Sequence, residues 1–281
     1  MACPVVFNIN SGTYNESIDL GLDEINYPII FRALSSNPSD TYISYSGALS
    51  QTILLEGSED ISFENLTIHR TGGDKTIRII NSENILFENC NIQNSSDVGN
   101  SGSIYSVIIQ NSDSINIQNC NISAHNTNNW SSTHAYALHI STSDSIELDN
   151  NIFHTSSGYG KVTNLYISDS EFISMLDNNF TSNANTNDDY GGWRKLISAN
   201  SISDIIINNN TFNYTGGYYS APSKHIELNN SVNALIQENT FLNSKGDALS
   251  LDIINGLVSD NVFSTEYSHP IGTALSISGD N

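Results

Sequence analysis

The sequence predicts an all-β protein: a single-domain parallel β-helix, a solenoid of about nine to ten coils. Three observations predict it. Eight segments align without gaps, asparagine recurs in one column of that alignment, and a further apolar strand precedes every copy. The segments are residues 61–68 (ISFENLTI), 85–92 (ILFENCNI), 115–122 (INIQNCNI), 146–153 (IELDNNIF), 173–180 (ISMLDNNF), 205–212 (IIINNNTF), 234–241 (ALIQENTF) and 256–263 (GLVSDNVF). Successive copies start about 22–32 residues apart, a solenoid spacing.

The columns explain each element. The last one runs Ile68, Ile92, Ile122, Phe153, Phe180, Phe212, Phe241, Phe263, an apolar ladder that becomes a phenylalanine stack. Two residues earlier stand Leu66, Cys90, Cys120, Asn151, Asn178, Asn210, Asn239 and Asn261. Five successive asparagines there read as an amide ladder at a corner, each bonding the coils beside it. The first and third positions alternate with polar residues, which is strand periodicity. The preceding strands, among them residues 77–80, 107–109, 138–140 and 226–228, end at Asn81, Asn111, Thr142 and Asn230. Each coil therefore reads as strand, tight polar turn, strand, Asn corner and variable loop. Residues 1–50 read as entry or capping strands, and residues 51–281 as coils left open at the C-terminal end. Residues 274–278 begin one more coil, as expected of a fragment of a longer protein.

Composition bounds the partners. The 281 residues hold 9 Lys and Arg against 30 Asp and Glu, a net charge of −21. Phosphate backbones and anionic lipid repel such a chain, so nucleic acid and membrane insertion are excluded, and polyanionic polysaccharides are disfavoured. No apolar run reaches a membrane-spanning length. Three cysteines are too few for a disulfide scaffold. Cys90 and Cys120 share a column one coil apart; they read as small buried hydrophobes, with a disulfide as the alternative.

The repeats resemble the right-handed parallel β-helix family, more distantly its pectate lyase-like polysaccharide-active members, which implies a right-handed solenoid. Residues 5–20 (VVFNINSGTYNESIDL) and 27–34 (YPIIFRAL) resemble the opening of secreted, adhesin-like Bacteroidota surface proteins. That resemblance implies an extracellular or bacterial cell-surface location and continuation into further domains. Residues 223–281 resemble the layout of alginate-lyase and chondroitinase-type β-helices. In that layout the catalytic lysine falls on Asn229 or Asn230 and the catalytic arginine on Asp252. Neither position carries a base or a cation, so the match implies shared architecture without shared chemistry.

Candidate sites follow from the loops. Tyr105, Trp130, Tyr136, Tyr159, Tyr190, Trp193, Tyr214, Tyr218, Tyr219 and Tyr267 all lie between an Asn corner and the next strand. Stacking gathers them on one side, as a wall suited to sugar rings or as plain packing of loops on the flank. Trp130, Tyr136, Tyr159, Tyr190, Trp193, Tyr218 and Tyr219 are the expected ligand-binding residues. Arg194, Lys195 and Lys224 lie beside them. Asp188 and Asp189 are calcium candidates, or half of a carboxylate pair, with a solvated turn as the alternative. His69, His125, His134, His139, His154, His225 and His269 show no ligand spacing and read as loop or strand-edge residues. The leading expectation is a non-catalytic adhesin or stalk segment that binds glycan through this wall, with no cofactor other than calcium. The alternative is a carbohydrate-active lyase or hydrolase using Lys195, Lys224, Arg194, Asp188 and Asp189.

Overall fold

The computed structural model describes residues 3–21, 27–47, 50–96, 102–127, 133–158, 160–184, 194–215, 223–243, 247–264 and 274–278. These residues form a parallel β-solenoid with a single short 3-10 turn, Pro38–Asp40, as the helical element among them. The strands join into one 17-stranded and one 10-stranded sheet, and every pairing in both is parallel. Eight regular turns fill residues 53–264, close to the expected count. Strands from Val5 to Tyr45 precede them, and Leu275–Ser278 pairs onto Leu249–Ile254 beyond them.

Each turn has three faces, one more than the sequence predicts. One turn runs Ser103–Gln110, Asp113–Gln118 and Asn121–Asn126. The third strand lies after the Asn corner, in a stretch that reads as loop because its outward residues are polar and its length varies. The variable segments then connect the third face to the first face of the next turn. Lys161–Leu176, Arg194–Asn208 and Ser223–Gln237 run unbroken through the corner between the first two faces, which joins those faces into the larger sheet.

Register places like on like. Ile61, Ile85, Ile115, Ile146, Ile173 and Ile205 pair in series and are buried. Phe153, Phe180, Phe212, Phe241 and Phe263 stack with centroids 4.8–5.0 Å apart. A buried aliphatic or phenyl side chain contributes roughly 1.5–3 kcal/mol, so a continuous core along the axis stabilises every turn.

The asparagine excess has two corner origins. One is the amide ladder itself. The backbone N–H of Asn178 donates to Oδ1 of Asn210 at 2.8 Å, and that of Asn210 to Oδ1 of Asn239 at 2.9 Å. Asn210 Nδ2 donates back to the Met175 carbonyl at 3.0 Å. The other origin is the neighbouring column of Asn65, Asn89, Asn119, Asn150 and Asn209, together with Asn81, Asn111 and Asn230 at the first corner. All eight adopt positive φ, which asparagine tolerates better than most residues. A serine ladder, which the sequence alignment overlooks, closes the corner between the first and second faces: Ser82 N donates to Ser112 Oγ at 3.2 Å and Ser112 N to Ser143 Oγ at 3.2 Å.

Cys90 and Cys120 are free thiols within the amide ladder. Cys90 N donates to Cys120 Sγ at 3.3 Å, and Cys120 N to Asn151 Oδ1 at 2.9 Å. Sulfur thus replaces the amide oxygen as acceptor. Burial, followed by Cys90, pushes the Cys120 thiol well above its usual pKa.

Two tests follow. Asn210→Leu leaves a buried N–H and a carbonyl without partners and is expected to cost about 3 kcal/mol in chemical denaturation. Asn210→Cys, copying the Cys120 position, is expected to cost clearly less. On the second face Glu59, Glu83, Asp113, Asp144 and Glu171 stand in direct register on five successive turns. Like charges opposed at about 4.8 Å repel. Raising sodium chloride from 10 to 300 mM is expected to raise the melting temperature, and Asp113→Asn to shrink that salt effect.

Candidate functional site on the first face

The first face carries a concentrated set of reactive side chains. Its strands begin with residues that break simple alternation. Positions 76–77, 106–107, 137–138 and 164–165 are consecutive buried pairs. The first member of several pairs turns into the corner: Thr76 Oγ1 donates to the Gln93 carbonyl at 2.8 Å, and Asn164 Nδ2 to the Phe153 and Thr181 carbonyls, both at 2.7 Å. The residues flanking each pair therefore lie on the outer side, in two columns. The first column is Lys75, Tyr105, Tyr136, Thr163, Lys195 and Lys224. The second is Arg78, Ile108, His139, Tyr166, Ser198, Glu227 and Ser250.

Aromatic rings fill the middle of these columns. Tyr105 and Tyr136 stack at 4.9 Å, and His134 stacks on Tyr136 at 4.0 Å. His139 meets Tyr166 edge to face at 4.9 Å. His134 Nε2 and Thr163 Oγ1 share a hydrogen bond of 3.0 Å. One turn further, Glu227 pairs with both Lys195 and Lys224, the latter at 2.6 Å. Lys224 also donates to Ser250 Oγ at 3.1 Å. Tyr136, His139, Tyr166, Lys195 and Lys224 are half-buried, and Glu227 is buried.

The environment sets the charges. Burial, with a smaller contribution from Lys161, Lys195 and His139, lowers the His134 pKa to about 3. Burial also lowers that of His139 and raises those of Tyr105 and Tyr136. Both imidazoles and both phenols are therefore neutral at pH 7. Burial opposes ionisation of Glu227, but its hydrogen bonds and charge contacts with Lys195 and Lys224 outweigh burial and hold it below the usual carboxylate range.

Local charge opposes global charge. Six of the eight first-face stretches, 75–80, 103–110, 134–141, 161–168, 194–200 and 223–229, hold Lys75, Arg78, Lys161, Arg194, Lys195 and Lys224, and the other two, 53–56 and 249–254, hold Glu56 and Asp252. These basic residues are six of the chain's nine. Glu227 is the one acidic residue within these six stretches, and Asp74, immediately before the first of them, is paired with Lys75.

The sequence-based candidates divide. Tyr136, Lys195 and Lys224 come together, although on strands and not in a loop wall. Tyr105 is likewise on a strand, and Tyr214 is buried within one. Arg194 is also a strand residue and is buried. Trp130, Tyr159, Asp188, Asp189, Tyr190, Trp193, Tyr218, Tyr219, Tyr267 and His269 lie outside the described residues. Asn229 is half-exposed on the first face and Asn230 turns its corner with φ 49°. The sequence reading misses His134, His139, Thr163, Tyr166 and Glu227. His134 and His139 are strand residues packed on tyrosines. Aligning the first-face strands themselves, HAYALHIS on KVTNLYIS, would have stacked these residues; alignment on the Asn corner leaves them unmatched.

No family description matches the chain, and no curated protein does. Among solved structures, a pectin methylesterase from Aspergillus niger is similar over 97% of this chain and 82% of its own, at 12% identity and a TM-score of 0.46. A surface adhesin of Streptococcus pneumoniae covers 97% of this chain and 85% of its own, at 14% identity and a TM-score of 0.35. An alginate lyase covers 98% of this chain and 50% of its own, at 13% identity and a TM-score of 0.41. No residue role is carried over from these proteins.

The pH dependence of stability follows from the buried imidazoles. His134 and His225 each titrate at about 3 in the folded chain, against about 6.5 unfolded. Between those values the unfolded chain binds more protons, so their contribution is fully present above pH 6.5 and is lost as pH falls toward 3. Thermal melts from pH 7 to 4 are expected to show falling stability, with a slope of at most about 1.4 kcal/mol per pH unit for each histidine. His134→Gln is expected to flatten that slope.

Proposed function

We propose that this chain is a glycan-binding segment of an extracellular, cell-surface β-solenoid, and that the saccharide lies along the first face. The observation that supports this reading is the half-buried Tyr136–His139–Tyr166 cluster, built from two adjacent turns and bordered by hydroxyls and amines. Neutral aromatic rings suit the C–H faces of sugars. The half-buried Ser250, with the lysines, suits their hydroxyl rims. The rings are set by β-sheet register and held by stacking, so the surface is ordered before a ligand arrives, which lowers the cost of binding. A calcium role for Asp188 and Asp189 rests on sequence alone.

One observation favours a second reading, a carbohydrate-active enzyme. His139 is uncharged beside Tyr166, the combination that proton abstraction and return require. Glu227 is held ionised by two lysines, which suits it poorly to the role of general acid in a hydrolysis.

A glycan array followed by titration calorimetry tests the binding reading. Tyr136→Ala is expected to weaken the best saccharide at least about tenfold. Ile206→Ala, on the exposed second face, is expected to bind as the unaltered protein does. Equal binding by Tyr136→Ala overturns the assignment of the site. New reducing ends or new ultraviolet absorbance from the bound saccharide would favour the enzyme.

A further inference from the structure

The second face changes character along the axis, and glycan binding on the first face leaves that change unexplained. One outward column passes from Asn116, Glu147 and Ser174 to Ile206, Leu235 and Leu257. A second passes from Asp113, Asp144 and Glu171 through Ser203 to Val232 and Ile254. The later turns therefore turn aliphatic side chains to solvent, where the earlier turns carry polar ones. Ile206 is 40% exposed, and Leu176, on the turn before it, is 37% exposed. Phe172, on that same turn, is 55% exposed and has φ 47°. The residues at its position on the two preceding turns are Ser114 and Ser145. A left-handed backbone position disfavours a bulky side chain, so folding alone does not call for phenylalanine there. Contiguous exposed apolar surface of this kind marks an interaction site. We propose that this apolar end of the second face docks a cationic polypeptide: a segment of a partner protein that carries lysines or arginines next to apolar side chains.

Charge selects the occupant. The second-face stretches 59–64, 83–88, 113–118, 144–149, 171–176, 203–208 and 232–237 hold 11 Asp and Glu and no Lys or Arg. Arg32, on the strand before them, is paired with Glu64. Nearer the apolar end the carboxylates have neutral partners. Asp113 and Asp144 accept from the hydroxyls of Ser114 and Ser145, and Glu147 accepts from the side-chain amide of Asn116. Carboxylates stacked in register repel one another, and a cation laid across them relieves that repulsion. A second copy of this chain brings a charge of −21 and is repelled. A metal ion or a polyamine answers the carboxylates and leaves the aliphatic columns uncovered. A polypeptide supplies cations and apolar side chains in one molecule. The turns from Asn116 to Leu257 span five strand spacings, about 24 Å, which about seven extended residues reach. Strand register fixes the surface before the partner arrives, which lowers the cost of binding. The docking face is separate from the Tyr136 cluster and does not depend on glycan binding.

The test measures fluorescence anisotropy of labelled peptides with the full chain. The probe is an octapeptide of four lysines followed by Leu-Phe-Leu-Leu. One control replaces its apolar half with Gly-Ser-Gly-Ser, and the other replaces its lysines with glutamates. The probe is expected to bind at least about tenfold more tightly than either control. Ile206→Ser is expected to weaken the probe about fivefold or more and to leave the Gly-Ser control unchanged. Asp113→Asn combined with Asp144→Asn is expected to weaken both lysine peptides about threefold to tenfold. At 300 mM salt the loss from the charge variant is expected to shrink, while the loss from Ile206→Ser persists. Glu56→Gln combined with Asp252→Asn removes the same charge from the first face and is expected to change binding by less than about twofold. Tyr136→Ala is expected to bind the probe as the unaltered protein does, so this site and the glycan site stand or fall separately. Equal affinity for the probe and its Gly-Ser control, or equal losses from the two charge variants, would show diffuse attraction to an acidic protein and overturn the proposal. A dimer of the chain alone, seen by sedimentation and abolished by Ile206→Ser, would give the face to a second copy and overturn it as well.

Discussion

The structure depends on one constraint: each backbone N–H and C=O of a coil must find its partner on the next coil, one strand spacing away. Parallel pairing at fixed register satisfies that demand along all three faces. It also forces side chains into columns. A column tolerates only residues that accept their own kind as neighbours. Phenylalanine rings stack, isoleucines interlock, and amides donate to the next amide. The composition follows, because a 281-residue solenoid repeats the same corner many times and each corner wants asparagine or serine.

The same constraint exacts its cost where like meets like unfavourably. The carboxylate column from Glu59 to Glu171 is an example. Lys195 and Lys224 are another, and there the protein inserts Glu227 between the charges. The two cases differ in burial. The carboxylates lie at exposed or half-exposed positions where water screens them, whereas Glu227 is buried and its pairing with the lysines is held by hydrogen bonds.

Register also makes the candidate site. His139, Tyr166, Ser198 and Glu227 are about 30 residues apart in sequence yet neighbours on the first face. Net charge is a sum over all columns and hides a column of opposite sign. On the first face that sum is local: Lys75 pairs with Asp74, Lys195 and Lys224 pair with Glu227, and Arg194 is buried.

Much of the fold was legible. The eight aligned segments, the phenylalanine ladder and the amide corner all follow from periodicity, because backbone geometry and side-chain self-pairing act locally and repeat. The third strand of each turn was not legible, since its outward positions are polar and its end merges with the variable segments. Of the site, Tyr136, Lys195 and Lys224 were visible as candidates, but as loop residues. His134, His139, Tyr166 and Glu227 looked scattered, because their meaning lies in which residues face them one coil away. The sequence by itself determined the architecture, the corner chemistry and the continuous core. Only the tertiary structure decided which polar side chains share a surface, because that depends on registering strands some thirty residues apart and on the paired buried positions that turn their neighbours outward.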